Sequence, residues 1–386
     1  MDIYNFILQH EHEDIHRLLL EKQAHIPNLK WIVQQIEGRK IAKSKLPFLY
    51  AHTHIHYPHK LSLEQCSSEL TAQYKAALMY GKTCIDLTGG LGIDTLFLSK
   101  NFEKMVYIEK NATLTEILNH NLSVLNIQNV EPHCTDSISF LKQDTNVYSW
   151  LYADPARRDN AGKKVFLLSD CEPDILTHWN LISKKADNIL LKTSPLLDIN
   201  HVWENLPVTS THVVAVKNEV KEVLYLIEKG KERSENIICA DITEQNINFF
   251  EGNLSDEQNT EARYALPQQY LYEPNKSILK AGLFKTITKR YPVFKIAPNS
   301  HLYTADTFLP HFMGRVFRVK HVIPYQKKAF QSFNTATFNI IARNFPDTPE
   351  QIAKKLSVCT GGETAYLIAT RDYKNQVMLI LCERLY

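Results

Sequence analysis

From about residue 82 the chain repeats one unit: a short apolar run, a turn, then a helical run. "KTCIDL" leads through "TGGLGID" into the helical "DTLFLSK", and "KMVYIEK" is followed by "ATLTEILNHNLSVLN". "VEPHC", "YSWLYADP" and "ADNILLKTSP" continue the series as third, fourth and fifth strands. Strands alternating with helices predict an α/β fold, a parallel sheet covered by helices on both faces. Ligands then bind outside the carboxyl ends of the strands, near the switch point of strand order. "HVVAVK" and "EVLYLIEK" read as an antiparallel pair at the far edge of the sheet.

The ends of those strands carry the candidate site. "IDLTGGLGID" puts Asp86, Thr88, Gly89, Gly90 and Gly92 at a strand-to-helix turn. Glycines there let a ligand approach the backbone and expose amides at a helix N-terminus. The spacing is neither G-x-G-x-x-G nor a phosphate-binding G-x-x-x-x-G-K-[ST] loop. An acid at the strand end, Asp86, suits a cationic amino-acid head better than a pyrophosphate. Glu109 ends the second strand about 20 residues on, where an acid commonly grips ribose hydroxyls. Asp136 follows the third strand, within reach of an adenine amine, and Asp154-Pro155 follows the fourth. Each has a plain alternative: a solvated acid for Glu109, a helix N-cap for Asp136, a turn former for Asp154.

Taken together, these strand ends resemble the class I S-adenosylmethionine-dependent methyltransferases over about residues 76–250. The resemblance implies a Rossmann-like, doubly wound sheet. It also implies S-adenosyl-L-methionine as cofactor, held by Asp86, Thr88, Gly89, Gly90, Gly92, Glu109 and Asp136. "YADPARRD", "SDCEPD", "LLKTSPLLDI", "YLYEPNKSILKAG", "APNSHLYTAD" and "ARNFPDTPEQIAKKL" extend it to nearly the whole chain. With them the chain resembles a bacterial methyltransferase family that carries C-terminal ferredoxin-like and THUMP-like domains. The implied organisation is an N-terminal helical region (1–75), a methyltransferase domain (76–268), a ferredoxin-like domain (269–318) and a THUMP-like domain (319–386). THUMP domains of other proteins bind RNA, so the resemblance implies an RNA partner, rRNA or tRNA.

"YADPARRD" is the expected catalytic corner, with Asp154, Pro155 and Arg157 as its members. Enzymes that methylate a base amine hold it with an Asp or Asn oxygen and a backbone carbonyl, and stack an aromatic on the flipped base. Ala156 and Arg157 supply no aromatic, and an arginine plane is one substitute. Enzymes that methylate uracil carbon 5 have a similar corner but need a cysteine after the fifth strand. Thr193 and Ser194 stand there, so direct transfer is expected. Cys171 is a nearby thiol, read first as a packed loop residue. Arg157 and Arg158 either bind a substrate phosphate or pair with Asp159, Asp170, Glu172 or Asp174. Lys192 either faces the site or is capped by Asp198.

Bulk composition adds less. A net charge of +2 over 386 residues names no partner, but its distribution does. From Lys276 to Phe330 there are eleven Lys/Arg, one acid and nine aromatics, the footprint of a nucleic-acid binder or a solvated face over an aromatic core. Arg315, Arg318, Lys320, Arg343, Lys354 and Lys355 are the candidate RNA contacts. Seven cysteines without a C-x-x-C pair suit a reducing cytoplasm, with Cys84, Cys134 and Cys239 acting as small hydrophobes. The acids and histidines of the first residues exclude a signal peptide, and no apolar run is long enough for a membrane span. His52, His54, His56 and His59 lack a completing Cys or carboxylate, so no metal is expected. The competing functions are a methyltransferase fold without turnover, serving as an RNA-binding or assembly factor, and a protein or small-molecule methyltransferase.

Overall fold

The apolar runs become strands covered on both sides. A computed structural model describes residues 2–14, 18, 27–157, 167–330 and 337–385. The parallel strands are β1 (Gly81–Asp86), β2 (Phe102–Glu109), β3 (Val130–Cys134) and β4 (Tyr148–Ala153). A short antiparallel ribbon follows, β5 (Ala156–Arg157) with β6 (Cys171–Glu172), and then β7 (Ala186–Thr193). β2 buries Met105 to Ile108 in succession, the pattern of a strand between two layers. β4 does the same from Trp150 to Ala153.

The chain divides into two compact units, residues 1–209 with 222–234 and residues 210–221 with 235–386. This division falls inside the 76–268 segment. After β7 come β8 (Ser210–Val216) and β9 (Glu219–Glu228). In the first unit the strand order is β9-β7-β4-β1-β2-β3. β1 pairs in parallel with both β2 and β4, so the switch point lies between the ends of β1 and β4. β9 runs antiparallel on β7, with Leu224 opposite Lys192 and Val223 opposite Thr193.

The N-terminal helices pack on this switch point. Ala42, Leu46, Leu49, Ile55 and Tyr57 share one core with Leu91, Ile93, Leu96 and Tyr107. Two of these helices, Lys60–Gln65 and Glu69–Leu78, are separated by the extended Cys66, and Ser68 caps the second, accepting from the Thr71 amide. The break frees Ser67 to donate to Asp94 at 2.8 Å.

In the second unit β8 pairs in parallel with β10 (Asn236–Ile242), and β10 in antiparallel with β11 (Ile247–Asn253). Its larger sheet holds β12 (Tyr270–Pro274), β13 (Phe294–Lys295), β14 (Tyr303–Ala305), β15 (Gly314–Pro324), β16 (Thr337–Ala342), β17 (Cys359–Thr360), β18 (Ala365–Arg371) and β19 (Val377–Arg384). Their order is β13-β14-β12-β15-β19-β18-β16-β17. Asn275 caps the helix Lys276–Ala281. Thr348 caps the helix Pro349–Leu356, in a reciprocal capping box with Gln351. Among the described residues no helix is long and apolar enough to cross a membrane.

Candidate active site

The glycine turn is held by the acid that precedes it. Asp86, buried at the end of β1, accepts from the Thr88 amide at 2.9 Å and from the Thr95 hydroxyl at 2.7 Å. Burial pushes its carboxyl up to about 7, against the pull of those two hydrogen bonds. The Gly90 amide donates to Glu109 at 2.9 Å, and the second Glu109 oxygen accepts from the Asn111 amide at 2.8 Å. Glu109 therefore ties the turn after β1 to the end of β2. Gly89 sits against the Tyr107 ring so closely that a Cβ would lie 2.0 Å from it. Gly92, at φ +79°, begins the helix Ile93–Leu98. Gly90 differs: a Cβ there would meet nothing nearer than the Thr88 carbonyl at 3.8 Å, so the turn has one open side. Asp136 is exposed and caps the helix Ser137–Gln143, accepting from the Ser139 amide at 2.8 Å. Slight burial opposes its charge, but that amide and Lys110 hold its carboxyl below the usual range.

Thr88 joins this turn to the corner after β4. Its hydroxyl accepts from the Asp154 amide at 2.6 Å. The Asp154 carboxylate is engaged by the Lys192 ammonium from the end of β7. Asp198, offered in the sequence as a partner for Lys192, instead caps the helix Ile199–Asn205. Pro155 is buried and Ala156 exposed. The ribbon pairs Ala156 with Glu172 and Arg157 with Cys171 through the backbone, which fixes where the corner leads. Glu172 is paired with Lys110 at 2.7 Å, and Asp174 accepts from Thr177. Arg158 and Asp159 lie outside the described residues.

Below the corner lies a group that the sequence did not reveal. Lys75, 0% exposed, donates to both oxygens of Glu222 at 2.8 Å and lies 3.2 Å from Asp94. Asp94 also accepts from the Tyr152 hydroxyl and from Ser67, each at 2.8 Å. Burial opposes the Asp94 charge, yet Lys75 and Lys192 hold its carboxyl below the usual range. Burial raises the Glu222 carboxyl, and Lys75 and Lys192 only partly offset this. Burial also works against the Lys192 ammonium, but Asp154, Glu222 and Asp94 more than reverse it and raise its pKa. Lys75 is one lysine on a helix and Glu222 one acid in a strand, 147 residues apart. The available signal was that each occupies a core-facing phase of its element, Lys75 with Thr71 and Ala72 and Glu222 with Leu224 and Leu226.

The basic residues of the second unit separate into two kinds. Arg315 and Arg343 converge on the buried Glu273, with Arg343 donating at 3.0 and 2.7 Å. Lys320 pairs with Glu383 at 2.8 Å and Lys355 with Asp347 at 2.7 Å, both at the surface. Arg318 and Lys354 are exposed. Of the interleaved aromatics, Tyr303, Phe312, Phe317 and Phe330 are core residues, while Phe308 is exposed. Cys134, taken from the sequence as a buried hydrophobe, is exposed at the end of β3, whereas Cys84 and Cys239 are buried.

The histidine segment packs by its rings. His56 stacks on His120 with centroids 3.5 Å apart and meets the Tyr4 hydroxyl at 2.9 Å. Burial, then His120, push its imidazole down to about 4. Among the described residues no group of three His, Cys, Asp or Glu is arranged to hold a metal ion.

Known proteins share this fold and its C-terminal domains. Residues 270–312 match the model of a ferredoxin-like domain, and residues 314–384 that of a THUMP-like domain. A crystal structure from Porphyromonas gingivalis W83, of a protein provisionally named a methyltransferase, superposes with a TM-score of 0.87. It is 28% identical and is matched over 100% of this chain and 98% of its own. An rRNA methylase from Streptococcus thermophilus (16% identity, 42% of this chain, 94% of that one) has a TM-score of 0.31. A protein from Streptococcus mutans, provisionally named a methyltransferase and solved in complex with SAH, scores the same at 17% identity, over 42% of this chain and 96% of its own. No curated protein matches the sequence significantly. This chain is therefore a methyltransferase-fold protein with ferredoxin-like and THUMP-like domains at its C-terminal end.

Proposed function

We propose that the protein is an S-adenosylmethionine-dependent methyltransferase that acts in the cytoplasm on structured RNA, rRNA or tRNA, by direct methyl transfer. The observation that carries this is the Thr88 bridge, which joins the glycine turn and the Asp154 corner across the switch point. Residues present at the strand ends fit an amino-acid nucleoside: the open side at Gly90, the half-buried Glu109 carboxylate and the exposed Asp136. In this reading Glu109 and Asp136 receive the ribose and the base. Thr88, Gly89, Gly90 and Gly92 form the wall against the amino-acid end, and Asp86 acts through the turn it organises. When bound, the cofactor supplies an activated methyl group on a sulfonium. The protein's part is to orient the acceptor in line with it, which is where most of the rate in such a transfer arises. Asp154, Pro155 and Arg157 form the acceptor side, and Thr193 at the end of β7 offers no thiol for a covalent route.

The THUMP-like segment supports an RNA substrate. Arg318 and Lys354 are the exposed cations to test first, with Lys320 and Lys355 after them and Arg158 as a phosphate contact at the corner. Arg315 and Arg343 would first have to leave Glu273. We take the four segments 1–75, 76–268, 269–318 and 319–386 as the working division of labour. Mass spectrometry of nucleosides from rRNA and tRNA, with and without the gene, tests the activity. Loss of one methylated nucleoside is expected, and identical profiles overturn it. Calorimetry tests the cofactor: S-adenosylmethionine binds the wild type and binds Asp86→Ala at least tenfold more weakly.

A further inference from the structure

The catalytic corner holds a charged pair that a base-amine acceptor does not need. The Asp154 carboxylate is met by the Lys192 ammonium, with side chains 35% and 13% exposed. The second ammonium, Lys75, is wholly buried and occupied by Glu222 and Asp94. Of these two lysines and three carboxylates, the Asp154–Lys192 end is therefore the part most open to solvent, at the strand ends beside the switch point. Tyr152, the aromatic of the corner, is buried with its hydroxyl on Asp94, and position 156 is an exposed alanine.

The sign of this charge discriminates between acceptors. An amine becomes positive as it takes a methyl group, and an adjacent ammonium raises the energy of that state. A hydroxyl oxygen becomes negative as its proton is withdrawn, and the same ammonium lowers the energy of that state. The carboxylate beside it is placed to take the proton.

We infer that Asp154 and Lys192 together seat a hydroxyl, so that the methyl acceptor is a ribose 2′-hydroxyl of RNA and not a base nitrogen or carbon. The inference rests on the methyltransferase reading above and deepens it. In the step, an oxygen lone pair forms the new O–C bond while the C–S bond breaks, its electron pair staying on sulfur. The hydroxyl proton passes to the Asp154 carboxylate and from there to water. Lys192 is not the proton acceptor: against the pull of burial, the Asp154, Glu222 and Asp94 carboxylates raise its pKa. Lys75 and Glu222 are positioning residues that act through Lys192.

The test uses the full chain, methyl-tritiated S-adenosylmethionine and a cell extract, protein and RNA together, from cells lacking the gene; the RNA is then purified and hydrolysed with alkali. A 2′-O-methyl group blocks cleavage at its own phosphodiester, so the label is expected in alkali-stable dinucleotides. Label in mononucleotides overturns the inference and leaves the methyltransferase reading standing. Label in protein and not in RNA overturns the inference and its RNA substrate. No transfer, or no calorimetric binding of the cofactor, overturns the methyltransferase reading and the inference with it. Two variants add readouts. Asp154→Asn is expected to lose at least 100-fold in transfer, because an amide cannot take the proton, with cofactor affinity within twofold of wild type. An amine acceptor would tolerate the amide, so an active Asp154→Asn overturns the inference. Lys192→Met is expected to lose transfer to a similar extent with cofactor affinity again retained, and wild-type transfer by it also overturns the inference.

Discussion

Each unit buries a carboxylate against two cations or their equivalent, and the two arrangements differ in where the cations can go. In the second unit Glu273 faces Arg315 and Arg343, whose side chains are 23% and 37% exposed. Remove the acid and both guanidiniums still reach water. In the first unit Lys75 has no such exit, and Glu222 is almost as enclosed. The Glu273 arrangement ties β12 and β15 to the residue after β16 and ends there. The Lys75 arrangement runs on, past Asp94 and Lys192, to the partly exposed Asp154 carboxylate. Burial of charge alone does not mark a functional site. The Lys75 network differs in having one solvent-facing end, and the proposal above rests on that difference.

The sharpest way to break the comparison is to remove one charge from each network. Lys75→Met strands Glu222 and Asp94 without their buried partner and is expected to cost about 3–5 kcal/mol in urea unfolding. Next comes Gly89→Ala. The 2.0 Å approach to the Tyr107 ring forces the turn to move, at about 1–3 kcal/mol, and cofactor affinity measured by calorimetry should fall with stability. Glu273→Gln keeps the shape and one acceptor, so about 1–2 kcal/mol is expected, with cofactor affinity unchanged. A Glu273→Gln loss as large as that of Lys75→Met would dissolve the distinction.

Smaller effects appear with pH. The folded chain holds the Asp86 proton up to about 7, whereas an unfolded aspartate releases it near 3.9. Its contribution to stability is therefore complete below the unfolded value and is lost as pH rises through 7. Asp86→Asn should flatten that part of a stability profile measured by urea unfolding. His56 behaves in the opposite sense: its imidazole is pushed down to about 4, so its contribution is present above about 6.5 and lost as pH falls through 4. His56→Gln should remove the acid-side slope, and an unchanged slope would return that decline to other groups.

Much of the site was legible because it sits where strands end. Strand period and glycine spacing locate the carboxyl ends of β1 to β4, and the residues just past them, Asp86, Glu109, Asp136 and Asp154, follow without knowledge of packing. The same reading missed local details wherever a long-range contact decided them. Cys134, read as a small hydrophobe, is exposed at the end of the edge strand β3. Arg315 and Arg343, offered as RNA contacts, also face the buried Glu273, a pairing that no local spacing announces.

The sequence by itself determined the alternation of strand and helix, the glycine turn and the order of acids along the strand ends, because these depend on residues close together in the chain. Only the tertiary structure decided that Lys192 turns to Asp154 and not to Asp198, and that Lys75 and Glu222 meet beneath them. Those choices depend on which side chains share a low-dielectric space, where an unpaired charge is costly and a partner 147 residues away is as effective as a neighbour.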